Sequence, residues 1–279
     1  MKARRMKQRY DPVALAVNGA LVLAAAFALI PLLWMLAVSF MQPGEANHFP
    51  PPLWPAAPTL HNYRELFGQS GMATYLFNSL VIALAITLIS VSFNVLAGYA
   101  FAKLRFRGRD AIFQSLMAAL VIPAQVAMMP LFLFLKTLGL VNTWAGVVVP
   151  GMAAIFGIFL VRQYALSLPD ALLEAARIDG AGEFRIFTTI VLPMLQPVLV
   201  TSGVLAFLGS WNDFMWPLIV LSDSTLYTAP VALASLSREH VVDSELMMAG
   251  SVVTVMPVLV LFLALQRYYL QGLTMGSVK

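Results

Sequence analysis

The sequence predicts an all-α, polytopic membrane protein with six transmembrane helices. Its 279 residues are 60% hydrophobic and only 11% charged, and the mean hydropathy is +0.84. Soluble domains carry about a quarter charged residues, so this composition indicates an integral membrane protein. Six long apolar stretches carry almost no charge, as expected of segments that cross a bilayer, where a charged side chain is costly.

Short polar or charged segments separate the six predicted spans. In chain order the spans are about Val13–Phe40, Tyr75–Phe101, Ile112–Leu135, Thr143–Tyr164, Val198–Leu221 and Met247–Tyr269. Pro123 and Pro130 lie within the third span, where they could break the helix at a gate or kink it for packing. Asp213 is the one acidic residue that these boundaries place inside a span.

The N-terminal MKARRMKQRYD and the apolar residues after it are similar to a signal peptide. Because Val13–Ser39 is too long for the apolar core of a signal peptide, we predict a retained first helix. A Pro-rich outer loop, Met41–Met72, follows and contains a candidate surface helix at His61–Phe67. We therefore divide the chain into residues 1–72, a five-helix core of residues 73–270, and a tail of residues 271–279.

The distribution of Lys and Arg predicts the orientation of the chain. With the N-terminus inside, only Arg64, Lys136 and Arg238 of the 17 basic residues lie outside. The positive-inside rule therefore places both termini in the cytoplasm. Basic inner loops also explain the net charge of +4, so no nucleic-acid partner is expected. The absence of Cys excludes disulfides, iron–sulfur clusters and thiol catalysis.

The stretch Ser167–Pro193, here named the charged loop, lies between the fourth and fifth spans on the predicted cytoplasmic side. Ser167 is a good helix N-cap, and Asp170 complements the positive end of a helix dipole. Gly180 can end that helix in the left-handed conformation. The pattern predicts a helix of about three turns, a turn at Gly180, and a second helix ending at Pro193. Glu174, four residues after Asp170, could form an ion pair or a helix cap across an interface.

The charged loop also carries a spaced pattern. Glu174-Ala175-Ala176 is followed after three residues by Gly180, and after nine more by Ile190, one residue, and Leu192-Pro193. This spacing resembles the EAA loop of bacterial ABC importer permeases, by which a membrane subunit binds its ATPase. The resemblance implies that the coupling residues are Glu174, Ala175, Ala176, Asp179, Gly180, Ile190, Leu192 and Pro193.

Further stretches resemble the sugar-importer branch, specifically the maltose-transporter-like permeases, which have six spans. These stretches are Asn62–Phe67 (NYRELF), Asn78-Ser79, Leu96–Arg109 (LAGYAFAKLRFRGR), Gly209–Leu221 (GSWNDFMWPLIVL) and Gly272–Lys279 (GLTMGSVK). The tail stops after GSVK, where relatives commonly continue with another glycine. The resemblance covers nearly the whole chain and implies a type I ABC importer permease fold in a bacterial inner membrane.

The same resemblance implies the partners. They are a homologous permease subunit that forms a heterodimer with this one, two cytoplasmic ATPase subunits, a periplasmic sugar-binding protein and membrane lipid. ATP and Mg²⁺ would bind to the ATPase subunits. This chain would bind no cofactor, since it lacks the phosphate-binding pattern GxxxxGK[ST]. We therefore expect a transport subunit and not an enzyme. No catalytic constellation and no metal site are predicted, since His48, His61 and His240 fall in separate parts of the outer loops.

Polar residues in or beside the spans are the candidates for a substrate pathway. An intramembrane carboxylate such as Asp213 usually faces a bundle interior or a water-filled cavity. Trp211 and Asn212 beside it offer a stacking face and an amide, both suited to a sugar. Asp213 could equally hydrogen-bond a neighbouring helix near the outer interface. Asn94 and Gln125 are further candidates, although hydrogen bonds between helices explain most such residues.

Three other functions fit parts of the sequence. An ABC permease for amino acids or peptides would share the charged loop. An ion-coupled secondary transporter would need no ATPase and would often show an inverted repeat, of which no obvious trace is found. A membrane scaffold without transport activity would use the charged loop to bind another partner.

Overall fold

The computed structural model describes residues 12–239 and 243–274, and every regular element within them is helical. This confirms the prediction of an all-α fold for the described part of the chain. The α-helices are α1 (Pro12–Val38), α2 (His61–Gly68), α3 (Met72–Lys103), α4 (Arg109–Ala119), α5 (Ala124–Thr137), α6 (Trp144–Val148), α7 (Ile155–Leu166), α8 (Asp170–Ile178), α9 (Glu183–Ile186), α10 (Leu192–Met194), α11 (Gln196–Trp211), α12 (Met215–Val220), α13 (Ala229–Glu239) and α14 (Ser244–Thr274).

Four helical segments in the described chain are long and apolar enough to cross a membrane. They are Val13–Val38, Met72–Lys103, Trp144–Leu166 and Ser244–Gln266. Two further pairs of helices meet the same criteria together but are sharply bent: α4 with α5 by 105°, and Glu183–Met194 with α11 by 75°. The number of spans is therefore between four and six, and the arrangement with six remains a prediction.

The third predicted span is broken at one of its two prolines. Pro123 is the N-cap of α5 and has an extended backbone (φ −59°, ψ 131°), and the bend between α4 and α5 lies immediately before it. Pro130 lies inside α5 without ending it. Helices in membranes tolerate an internal proline where neighbouring groups satisfy the freed carbonyl. Only Pro123 therefore breaks the helix.

The fifth predicted span is also interrupted, and this corrects the expected position of Asp213. Helix α11 ends at Trp211 and α12 begins at Met215, so Asp213 lies in the break and not inside a helix. Its carboxylate accepts a hydrogen bond from the Trp216 backbone N–H at 3.3 Å. Pro217 lies in the first turn of α12, where its missing N–H costs nothing. The side chain of Asp213 thus helps to start α12.

The chain divides into two compact units. The first spans Met1–Ser70 and Glu239–Val253. In it the predicted surface helix is present as α2, and the Asn62 side-chain amide donates to the backbone carbonyls of Ser39 and Met41 at 3.0 and 2.9 Å. These bonds attach α2 to the backbone that follows α1. They also give partners to carbonyls near the end of α1, where the helix itself provides none.

The second unit spans Gly71–Arg238 and Thr254–Lys279 and is organised around α3, which packs along α7 and α11. The backbones of α3 and α7 approach closely at Gly98. A Cβ atom at this position would lie 2.7 Å from Cβ of Val161 and 3.0 Å from the Arg162 backbone nitrogen. Small residues permit such close helix packing in membranes.

This close packing makes Gly98→Ala a destabilising change. We expect a loss of about 1–3 kcal/mol, because the added methyl group overfills a packed contact with backbone behind it. The measurement is the midpoint of thermal unfolding in detergent. Gly203→Ala on α11 is the matched control, since its added Cβ would meet its nearest atoms at 3.8 Å. Alanine favours helix over glycine, so this control should melt no lower than the wild type. Equal melting of Gly98→Ala and the wild type would contradict the close contact.

Candidate functional site

The charged loop folds as two short helices joined by a tight turn. Helix α8 runs for 9 residues, about two and a half turns. Its N-cap is Pro169, so the prediction that Ser167 caps this helix is wrong. The Ser167 hydroxyl instead donates to the Tyr164 carbonyl at 2.7 Å, at the end of α7. Since Ser167 still belongs to the last turn of the preceding helix, its side chain satisfies a carbonyl there.

Gly180 makes the turn that the sequence predicts. Its φ of +82° is left-handed, the conformation that glycine adopts without steric cost. Its N–H donates to the Arg177 carbonyl at 3.0 Å, and the Ala181 N–H donates to the Ala176 carbonyl at 2.9 Å. Gly182 has an ordinary extended backbone with φ −70°. The reversal of the chain therefore depends on Gly180 alone of these two glycines.

The second helix of the loop begins at Glu183 and continues one residue beyond the predicted end. It passes from α9 through a π-helical turn, Phe187–Val191, into α10, which ends at Met194. Pro193 has no N–H, and its ring would clash with the carbonyl four residues earlier in a regular α-helix. The wider π-helical turn relieves that clash, so the helix passes Pro193 before it bends.

One face of the charged loop is part of the protein core. Leu173 of α8 is 3% exposed and Ile186 of α9 is 1% exposed. Both join a cluster that includes Tyr99 and Ala102 of α3 and Val161 of α7. The loop is therefore packed on the second unit and does not extend freely into solvent.

The opposite face exposes large apolar side chains. Ile178 is 86% exposed and Phe184 is 81% exposed, on either side of the Gly180 turn. Ile178 lies one helical turn after Glu174, which is also exposed, so the two side chains share a face of α8. Exposed apolar groups of this size on a loop rich in charged residues are typical of a surface that binds another protein.

The residues predicted to couple the chain to an ATPase divide by exposure. Five are exposed and three are partly buried against the core cluster. The exposed ones are Glu174, Ala175, Asp179, Gly180 and Pro193, and the partly buried ones are Ala176, Ile190 and Leu192. Sequence reasoning missed Ile178 and Phe184. The signal in the sequence was spacing: Leu173 and Ala176, three residues apart, share the inward face of α8, and Ile178 does not fit that spacing.

Ion pairs hold the loop in this shape. Arg177 Nε and Nη2 donate to the two carboxylate oxygens of Glu183 at 2.7 and 3.3 Å, which joins α8 to α9 across the turn. Lys103 Nζ, at the end of α3, lies 2.6 Å from Asp170 Oδ1. The Lys103 ammonium lowers the pKa of Asp170 by hydrogen bonding and by its charge. Asp170 thus pairs with Lys103, whereas Glu174 makes no ion pair within the described chain.

A cavity of about 510 Å³ lies within the second unit, between α3, α5, α7 and α11. Its lining is largely apolar, with a few polar side chains: Ser90, Asn94, Ser202, Ser210 and Asp213. The Ser202 hydroxyl is buried and has no hydrogen-bond partner in the part of the chain that the structure describes. The cavity therefore combines an apolar wall with a small number of groups that can bind hydroxyls.

Two of the five predicted pathway residues, Asn94 and Asp213, line this cavity. Asn94 also joins α3 to the start of α7, since its side-chain carbonyl accepts from the N–H of Ala154, the N-cap of α7, at 3.2 Å. Its amide donates to Ser90 Oγ of the same helix at 3.1 Å. The structure does not bring the other three to the cavity. Gln125 and Asn212 are exposed, while Trp211 is 2% exposed, stacks on Phe207 and donates to the Thr254 carbonyl at 3.0 Å.

The three cavity serines were missed because serine is common in membrane helices. Only the packing of the helices distinguishes the serines that face the cavity. Across residues 12–239 and 243–274, no three His, Asp or Glu side chains are grouped to hold a metal ion. His240 lies outside the described residues.

Comparison with known proteins places these features in context. Residues 94–274, well over half of the chain, match the family model described as binding-protein-dependent transport system inner membrane component. The match therefore includes the charged loop and part of α3.

Two curated relatives are similar over nearly their whole length. The arabinooligosaccharides transport system permease protein AraQ of Halalkalibacterium halodurans is 38% identical, over 98% of this chain and 100% of the relative. The trehalose/maltose transport system permease protein MalG of Thermococcus litoralis is 33% identical, over 95% and 96% of the two chains.

A solved structure shares the fold. It belongs to a bacterial ABC transporter that imports the acidic polysaccharide alginate, and it superposes with a TM-score of 0.81 over 94% of this chain and 98% of that one. The sequence identity is 24%, so this likeness concerns the fold alone.

Proposed function

Because the chain belongs to the family of binding-protein-dependent transport system inner membrane components, we propose that it imports a sugar as the permease subunit of an ABC transporter. Like its relatives, which are permease proteins, the chain is a transport subunit and not an enzyme. Both curated relatives carry oligosaccharide or disaccharide names, which supports a sugar as the substrate. The peptide permease and the ion-coupled transporter considered from the sequence are not favoured.

The main support for coupling to an ATPase is the exposed face of the charged loop. Ile178 and Phe184 are large apolar side chains that are more than 80% exposed, while Leu173 and Ile186 of the same helices are buried. Burying the exposed pair against a partner would remove apolar area from water and stabilise a complex. We infer that this face binds a cytoplasmic ATPase, with Glu174 adding a charge for orientation.

The proposed assembly contains four further subunits: a homologous permease, two ATPases that bind ATP and Mg²⁺, and a periplasmic sugar-binding protein. The family description supports the last of these. We propose six spans, with each bent helix pair crossing once, and both termini in the cytoplasm of a bacterial inner membrane. The excess of Lys and Arg on that side supports the orientation.

In this arrangement closure of the ATPases displaces the charged loop and shifts the permease between its inward-open and outward-open states. Nucleotide shifts this equilibrium only by as much as it binds the two states differently. The cavity lined by Asn94, Ser202 and Asp213 is the proposed part of the sugar pathway in this chain. Its hydroxyl, amide and carboxylate groups suit the hydroxyls of a sugar.

The test of this function is recovery of an ATPase with the affinity-tagged chain from native membranes, detected by mass spectrometry. We expect stoichiometric ATPase with the wild type and at least about a tenfold loss with Glu174→Lys, as for a charge reversal at an interface centre. Thr189→Lys is the control, because it introduces the same side chain at another exposed position of the loop. A wild-type chain that brings down no ATPase would refute the proposal.

A further inference from the structure

Lys103 is a buried cation at the join between α3 and the charged loop. Its side chain is only 5% exposed, although lysine is among the residues least often buried. Burying an ammonium group is costly unless it is paired and hydrogen-bonded. Here Nζ donates to Asp170 Oδ1 at 2.6 Å and to the Leu168 backbone carbonyl at 2.7 Å. One side chain at the end of α3 therefore holds both the N-terminus of α8 and the residues before it.

A second attachment lies one helical turn earlier on the same face of α3. Tyr99 is 4% exposed, and its ring packs 5.3 Å from that of Phe187. Its hydroxyl donates to Glu183 Oε2 at 3.5 Å, and Glu183 is itself paired with Arg177. Positions four residues apart share a helix face. The two helices of the charged loop are thus attached to one face of α3.

Helix α3 also forms part of the cavity wall. It is a continuous helix of 32 residues that contains no proline, and its residues Ile86, Ser90 and Asn94 line the cavity. Asn94 precedes Lys103 by nine residues, a distance of about 13 Å along the helix. A single unbroken helix therefore joins the cavity wall to the charged loop.

We propose that Lys103 is a positioning residue that fastens the charged loop to α3, so that displacement of the loop moves the cavity wall with it. The residue touches neither substrate nor ATPase and acts through Asp170 and Leu168. Its role rests on the proposed function for the source of the displacement, whereas the attachment itself is a property of this chain alone.

The first test measures coupling in the assembled transporter, reconstituted in proteoliposomes with its partner subunits. We expect Lys103→Met to retain the ATPase but to lower sugar uptake per ATP hydrolysed by about tenfold, within the range of typical coupling between sites. Lys103→Arg keeps a cation that can donate to both acceptors, so it should restore the ratio to within about twofold of the wild type. Asp170→Asn leaves the Leu168 contact and should fall between them.

The second test needs no partner. The chain contains no Cys, so a pair of spin labels can be attached to engineered cysteines without background. Labels at Leu96 on α3 and Ala171 on α8, both exposed, should give a narrow distance distribution in the wild type and in Lys103→Arg, and a clearly broader one in Lys103→Met.

The outcomes separate the two proposals. An unchanged uptake ratio together with a narrow distribution in Lys103→Met would overturn the role of Lys103. Loss of the ATPase from Lys103→Met would also overturn it, since the residue would then be needed for docking and not for transmission. If the wild type brings down no ATPase, the proposed function fails, and the spin-label distances alone decide whether Lys103 fastens the loop.

Discussion

Replacing Gly180 by valine is expected to reduce the ATPase recovered with the chain by about 5- to 30-fold, the factor that corresponds to 1–2 kcal/mol. Gly180 has φ +82°, and a β-branched residue at positive φ is a genuine outlier. The left-handed conformation costs non-glycine residues roughly 1–2 kcal/mol. A Cβ atom at Gly180 would meet no atom of the surrounding residues within 4 Å, so the cost comes from the local backbone conformation and not from a clash with a neighbouring element. The turn should open to relieve it, and Phe184 would then move relative to Ile178.

The neighbouring glycine provides the matched control. Gly182 lies two residues further on, has an extended backbone that valine favours (φ −70°, ψ 159°), and also has open space around its Cβ position. Gly182→Val should therefore recover as much ATPase as the wild type. Gly180→Asn should recover most of it, because asparagine tolerates the left-handed region. Equal losses in the two valine variants would show that the loop is sensitive to any side chain, and not to the backbone conformation of Gly180.

Truncating Phe184 to alanine is expected to weaken ATPase binding by at least about 2 kcal/mol, the usual cost at an aromatic anchor of an interface. This corresponds to about a 30-fold rise in the Kd, measured by titrating labelled ATPase into the detergent-solubilised chain. Phe184 is 81% exposed and packs little within its own chain, so the thermal midpoint of the isolated chain should not change. Ile178→Ala, on the other side of the turn, should have a smaller effect in the same direction, because its side chain has less apolar area.

Arg185→Ala is the control for this change. Arg185 follows Phe184 directly and is also exposed, so its truncation alters the same turn of α9 without removing an apolar anchor. We expect its Kd to stay close to that of the wild type. If Phe184→Ala bound the ATPase as tightly as Arg185→Ala did, the exposed apolar face would not be the binding surface.

Both predictions follow from the division of the charged loop into two faces. The buried face shares one apolar cluster with α3 and α7, through Leu173 and Ile186. Gly180 sets the angle between α8 and α9 from the outside of that cluster. A change at the exposed face should therefore alter binding while leaving the fold intact, whereas a change at Gly98 or Lys103 should alter packing or transmission.

Part of this architecture was predictable because it depends on local properties of the chain. A segment that crosses a membrane must be apolar over its whole length, so the long helices could be located from composition alone. The Gly180 turn was predictable because only glycine adopts its conformation freely. The surface helix at His61–Phe67 was also found, and the spaced pattern of the charged loop led to the family.

The remaining features depend on which residues meet in space, and these were decided only by the tertiary structure. Lys103 pairs with Asp170 from 67 residues away, so no rule of local spacing could identify the pair. Asn94 and Asp213 meet at one cavity while Trp211 turns into the core, because the rotation of each helix is determined by packing against its neighbours. Pro123 and Pro130 have the same chemistry, but only one breaks its helix. Local sequence determined where the helices form and where the charged loop turns; helix packing decided which side chains face the core, the cavity or a partner.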